Sequence, residues 1–346
     1  MPSAAERGLA VWRRHWPEYA MESALLGGFM VSACLFAVLL FHPAGLAARW
    51  LPDPVTRRVL MGLAMGTTAI ALTYSPWGQQ SGAHYNPAVT LTFTRLGKVQ
   101  PWDAVAYVGA QFAGAVLGVM LARGIVREML GDAQVHYAVT RPGAHGVAVA
   151  FGAELAISFL LMSVVLAASN HPRAARFTGV FAGLLVATFI MVEAPLSGMS
   201  MNPARTVGSG FWARDWTAVW IYFTAPPLGM LLAAEVYVRR HGRQRVFCAK
   251  LHHQNRKRCI FCEGKRNSVS GEREAVSGSP LTASRSPWNL SPHHRITARE
   301  QIHRPFNIVW RKQDEAPDLG SRACCARRHR LVRVPPRAAV RSDARR

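Results

Sequence analysis

A ten-residue segment occurs twice in this chain, 116 residues apart. Ser81-Gly82-Ala83-His84-Tyr85-Asn86-Pro87-Ala88-Val89-Thr90 is matched by Ser197-Gly198-Met199-Ser200-Met201-Asn202-Pro203-Ala204-Arg205-Thr206. Each copy follows one apolar stretch and precedes another. Six stretches nearly devoid of charge run over 20–41, 58–74, 104–122, 147–169, 178–192 and 218–238. A helix needs about 20 apolar residues to cross the hydrocarbon core, so six spans are expected, the second and fifth short. Too little polar surface remains for these to be the buried helices of a soluble bundle. Three spans accompany each copy of the segment. An odd number inverts the second copy, and inverted repeats place the working site near the midplane.

The segments dictate their own local structure. Asn is a preferred helix N-cap, and Pro is favoured at the first helical position. Asn86-Pro87 and Asn202-Pro203 therefore each open a helix, over 88–93 and 204–211. Ten helical residues cover about 15 Å, half of a bilayer core. Two half-helices entering from opposite sides would meet tip to tip. Each N-terminus carries about half a positive charge, so the meeting point repels cations and protons. Each capping Asn accepts from backbone with its oxygen and still offers NH₂ to a passing molecule. A water held this way turns its hydrogens outward, which interrupts a proton wire.

These residues resemble the aquaporin, or major intrinsic protein, family over about 20–237. The resemblance rests on two Asn-Pro-Ala motifs (Asn86, Pro87, Ala88 and Asn202, Pro203, Ala204), six spans, and a Glu opening a span in each half. It implies an all-α integral membrane fold: a right-handed bundle of six transmembrane helices plus two half-helices, built from inverted repeats over about 20–122 and 147–238. It also implies a homotetramer with one pore per subunit. Glu22 and Glu154 would hold the motif loops through hydrogen bonds to backbone donors. A narrow filter would lie on the outer side of the Asn pair. Counting without gaps from the motifs carries it onto Gly66, Ile190, Met199 and Arg205. With glycine and isoleucine where a water-only filter has an aromatic and a His, the opening is expected to be wider or greasier. Thr206, after Arg205, departs from the Asp of the glycerol-conducting branch. Gly114-x-x-x-Gly118, and Gly179 with Gly183, read as close helix packing.

Charge divides the chain differently. Residues 1–238 hold 15 basic and 11 acidic side chains, whereas 239–346 hold 26 and 8. The expected organisation is a cytoplasmic N-terminus over 1–19, a channel domain over 20–238, and a basic cytoplasmic tail over 239–346. From about residue 265 the tail has no periodic apolar pattern, and disorder is expected. Arg13, Arg14 and the basic tail place both ends in the cytoplasm of a cell-membrane protein. Cys248, His252, His253, Cys259 and Cys262 crowd into 248–262, a composition suited to tetrahedral zinc. The cluster lies in a basic run, Arg256-Lys257-Arg258, so a headgroup-facing segment is favoured over a metal site and no cofactor is assigned.

The function expected is passive conduction of water and small uncharged solutes across the lipid bilayer, with ions excluded. A glycerol or small-solute facilitator is the alternative. A closed-pore junction or scaffold protein is the reading from another class, though it has no need of Asn86, Asn202 and Arg205 together. No nucleophile–base–orienter set lies in the spans, so an enzyme is not expected. Aromatic residues are sparse in the tail, so no nucleic-acid partner is expected.

Overall fold

The computed structural model describes residues 3–263. Its α-helices include α1 Ala4–Phe41, α2 Leu46–Trp50, α3 Pro54–Tyr74, α4 Pro76–Ser81, α5 Pro87–Arg95, α6 Pro101–Val126, α7 Gly146–Ser169, α8 Thr178–Val192, α9 Ala194–Ser197, α10 Pro203–Ala213 and α11 Trp220–His241, and residues 260–263 are helical as well. Six are long and apolar enough to cross a membrane, namely α1, α3, α6, α7, α8 with the turn preceding it, and α11. Residues 265–346, where a disordered basic tail is expected, lie outside the described residues.

The helix starts follow cap chemistry. Asp53 accepts from Val55 N at 3.2 Å and Thr56 N at 2.8 Å, with Pro54 in the first turn of α3. Asn86 and Asn202 cap α5 and α10 in the same way. The largest departure from the hydropathy reading is that α1 begins at Ala4 rather than near residue 20; α3 and α6 differ from it by up to four residues. A capping box of Ser3 and Glu6 starts it. Its added turns carry polar groups, which hide them from a hydropathy window. They are nonetheless packed: His15 Nδ1 lies 2.7 Å from Asp103 Oδ1, and Tyr19 Oη donates to the same oxygen at 2.6 Å.

Packing repeats by halves. α1 lies against α6, and α7 against α11; α5 packs on α11, and α10 on α6. α3 and α8, the middle spans of the two halves, pack on each other. The arrangement is that of two inverted copies around a shared centre. Small residues allow the close approaches. A Cβ added at Gly114 or Gly118 of α6 would collide with the α1 carbonyls of Ser23 and Gly27. α11 remains one helix through Pro226 and Pro227. The bundle has one face where α1 begins and α11 ends, called here the terminal face, and an opposite face where α3, α7 and α11 begin.

Candidate functional site: a cavity at the meeting of two half-helices

The two repeated segments fold alike. Gly82, Ala83 and Tyr85 take positive φ in the first, and Gly198, Met199 and Met201 in the second. Left-handed backbone at a non-glycine residue is strained, so something must hold it. A buried carboxylate does so in each half. Glu22 Oε1 accepts from Ser81 Oγ at 2.7 Å and His84 N at 3.1 Å, while Oε2 accepts from Tyr85 N at 2.6 Å. Glu154 Oε1 accepts from Ser197 Oγ at 2.7 Å and Ser200 N at 2.6 Å, while Oε2 accepts from Met201 N at 2.7 Å. Both carboxylates are fully buried. A tyrosine completes each loop: Tyr107 Oη donates to Ser81 O at 2.7 Å, and Tyr222 Oη to Ser197 O at 2.5 Å.

The capping asparagines cross. Asn86 Oδ1 accepts from Ala88 N at 2.8 Å, and its Nδ2 donates to Met201 O at 2.8 Å. Asn202 Oδ1 accepts from Ala204 N at 3.0 Å and Arg205 N at 3.2 Å, and its Nδ2 donates to Tyr85 O at 2.8 Å. Each amide thus ties its own helix tip to the opposite loop. An NH₂ has two hydrogens, so each amide keeps one beyond this bond; Asn86 lines the cavity beside the pair, whereas Asn202 is not among its lining residues.

Beside this pair lies a cavity of about 340 Å³. Its wall includes Asn86 and Arg205 at the half-helix tips, Arg58, Met61, Met65 and Ala69 of α3, and Val186 and Ile190 of α8. The loop residues Met199, Ser200 and His84 also line it, as does Leu251 from beyond α11. Arg205 Nη1 is buried and has no hydrogen-bond acceptor among the described residues. A guanidinium at the wall repels cations and can donate to a neutral solute.

Of the four filter positions counted from the motifs, Ile190, Met199 and Arg205 reach the cavity. Gly66 does not, which corrects the ungapped count. Gly66 sits against α8, where an added Cβ would lie 2.6 Å from Gly183 O and 2.7 Å from Ala187 Cβ. Met65, one residue earlier, takes the wall position. One residue turns a helix by about 100°, enough to move a side chain from the pore to a packed seam. The wall at this level is therefore greasy rather than open, since a thioether replaces the space a glycine would leave. The sequence reading also missed Leu251, the serines Ser81 and Ser197, and the tyrosines Tyr107 and Tyr222. The serines were detectable, because they occupy the same place in both copies of the repeat. His84, given no role from sequence, is buried, with Nδ1 3.1 Å from Thr90 Oγ1 and Nε2 2.8 Å from Ala249 O.

Six membrane-length helices in two inverted halves, with two half-helices meeting at their N-terminal tips and a lined cavity beside them, define a multi-pass membrane-protein fold. The family model described as Major intrinsic protein matches residues 21–237. The chain belongs to the major intrinsic protein family. Aquaporin NIP6-1 of Arabidopsis thaliana is 37% identical over 171 residues, covering 49% of this chain and 54% of that protein. Probable aquaporin NIP-type of Nicotiana alata is 36% identical over 176 residues, covering 50% of this chain and 62% of its own length. The chain therefore spans little more than half the length of these curated relatives. Among solved structures, the aquaglyceroporin from Plasmodium falciparum matches with a TM-score of 0.52 at 21% identity, over 64% of this chain and 95% of that one. That likeness shows the fold.

Proposed function

We propose that this chain is a passive transmembrane channel for water and small uncharged solutes that excludes protons and ions. The observation that carries the reading is the reciprocal crossing of Asn86 and Asn202, with Arg205 Nη1 lacking an acceptor at the cavity wall. The Asn86 amide, held in place by its crossing with Asn202, orients a permeant at the point where both helix dipoles repel positive charge. Met65, Ile190, Met199 and Arg205 form the filter. Three of these are apolar, so the filter offers little to hydrogen-bond besides Arg205 and its neighbouring backbone. Such a wall favours solutes with an apolar face, and methionine side chains adapt to them. A small-solute facilitator is therefore an extension of the same reading. A closed junction protein is disfavoured by the lining, which runs from Arg58 at the opposite face to Leu251 at the terminal face.

The proposal includes a homotetramer in the cell membrane with the terminal face in the cytoplasm. Arg13, Arg14, Arg239, Arg240, Arg243 and Arg245 support that orientation. Stopped-flow light scattering on proteoliposomes tests the function. Fast shrinkage in an impermeant osmolyte, followed by fast re-swelling with glycerol, is expected. Shrinkage no faster than that of protein-free vesicles overturns the channel reading.

A further inference from the structure

The segment after α11 is not a loose extension of the bundle. Val246, Cys248, Lys250, Cys259, Phe261 and Cys262 are all buried. The segment is bonded to the terminal face at separate points. Phe247 N donates to Asn170 Oδ1 at 2.8 Å, Leu251 N to Gly82 O at 3.1 Å, and Asn255 Nδ2 to Gln79 O at 3.2 Å. Arg258 Nη1 donates to Arg14 O at 3.1 Å. The Phe261 ring stacks on His84 with centroids 5.5 Å apart and an interplanar angle of 4°. Gly82 and His84 belong to the first Asn-Pro-Ala loop, so the segment roofs that loop.

So short a piece of chain has no core large enough to hold such a shape, and modules of this size usually need a metal or disulfides. The described cysteines form no disulfide. Instead, the Sγ atoms of Cys248, Cys259 and Cys262 and a ring nitrogen of His253 all lie within 4.8 Å of one another. Cys248 Sγ is 3.4 Å from Cys259 Sγ and 3.7 Å from Cys262 Sγ. Four thiolates at a zinc–sulfur distance of about 2.3 Å would stand about 3.8 Å apart at the corners of a tetrahedron, so these spacings fit one ion at the centre. Cys262 N donates to Cys259 O at 3.2 Å, a tight turn that points both thiols the same way. Lys250, only 2% exposed, ties the chain between the cysteines, its Nζ donating to Arg258 O at 2.6 Å. His252, which the sequence groups with these residues, is set apart and packs edge-on to Tyr74 instead.

We propose that Cys248, His253, Cys259 and Cys262 form a structural zinc site that clamps 246–263 over the first Asn-Pro-Ala loop. The donor set, three soft thiolates with one imidazole, selects Zn²⁺ over Mg²⁺ or Ca²⁺. With four protein ligands the site is closed, so it holds shape and has no position open for catalysis. The site does not depend on which solute the pore conducts.

The test uses the full chain, purified in detergent without a polyhistidine tag or chelator, with metal measured by elemental mass spectrometry. One zinc per chain is expected. Cys259→Ser and Cys262→Ser should each lower it at least tenfold, while Cys34→Ser, altering a buried thiol inside the bundle, should leave it unchanged. If the two variants do not fold, the wild-type protein decides. A strong zinc chelator should then make three further thiols reactive to maleimide and make the chain cleavable by trypsin after Arg256, Lys257 or Arg258. Wild-type protein that stays below one zinc per ten chains after incubation with zinc overturns the proposal. So does a mapped disulfide among the three cysteines, or zinc retained in both folded serine variants.

Discussion

The two Asn-Pro-Ala loops use one anchoring device and differ in what covers them. In both, a buried Glu gathers a serine hydroxyl and two backbone N–H groups, and a tyrosine bonds the serine carbonyl. The first carboxylate has an additional donor, because Gln111 Nε2 gives Glu22 Oε2 a bond of 2.8 Å. Above the anchor the halves part. His84 is clasped between Thr90, Ala249 and the Phe261 ring, so the first loop is roofed by protein. Ser200, its counterpart, joins a hydroxyl chain through Thr206 Oγ1 at 2.6 Å to Thr140. The repeat has kept what fixes the backbone and diverged in the side chains that meet either the terminal segment or the opposite face.

The largest expected effect comes from breaking the anchors. Glu22→Gln turns an acceptor toward donors it cannot satisfy, and each buried donor left unpaired costs about 1–3 kcal/mol. Glu154→Gln meets one donor fewer. Both variants should lose thermal stability in detergent, and Glu22→Gln should lose more, by about 1 kcal/mol or more. Equal losses would mean that Gln111 is incidental.

The correction at the filter gives the next test. Gly66→Val should destabilise the α3–α8 seam by about 1–3 kcal/mol, as overpacking does. Met65→Ala, at a side chain only 1% exposed, should cost about 2–5 kcal/mol of stability and, in the folded fraction, raise glycerol flux. If Gly66→Val folds normally and changes solute selectivity, Gly66 faces the pore after all.

Arg205→Val removes the cation from one half only. Cation and proton leak should rise about tenfold, equivalent to about 1.4 kcal/mol in barrier, as read by a pH-sensitive dye in proteoliposomes. The matching change in the other half, Val89→Ala, should leave the leak unchanged.

The smallest effect concerns the loop between α10 and α11. Burial raises the Asp215 carboxyl, but hydrogen bonds from Thr217, Arg141 and His136 outweigh it and hold it at about 2. A carboxyl lowered on folding adds stability above its unfolded value of about 3.9. That stability is lost as pH falls from about 4 toward 2. Asp215→Asn should flatten the acid limb of the unfolding curve and cost about 1 kcal/mol at neutral pH. An unchanged acid limb would show that the contacts with Arg141 and His136 do not persist in solution.

Much of this molecule was written locally. Apolar length alone marks six crossings, and Asn followed by Pro starts a helix wherever it falls, so the half-helices and the inverted repeat were legible as a pattern. Glu22 and Glu154 were legible because a Glu recurs near the start of a span in each half, and the family resemblance implied their role. The failures share one cause. Whether Met65 or Gly66 faces the cavity turns on a rotation of about 100°, which is decided by how α3 docks on Gly183 and Ala187 of α8 rather than by anything within α3. The start of α1 was missed because its polar residues are paid for by a partner 84 to 88 residues away, Asp103. The spacing of Cys248, His253, Cys259 and Cys262 was visible in the chain. Their convergence was not, since it depends on Asn170, Gln79, Gly82 and His84 holding the segment in place. Local chemistry names the donors and the caps; only packing between distant segments decides which of them meet.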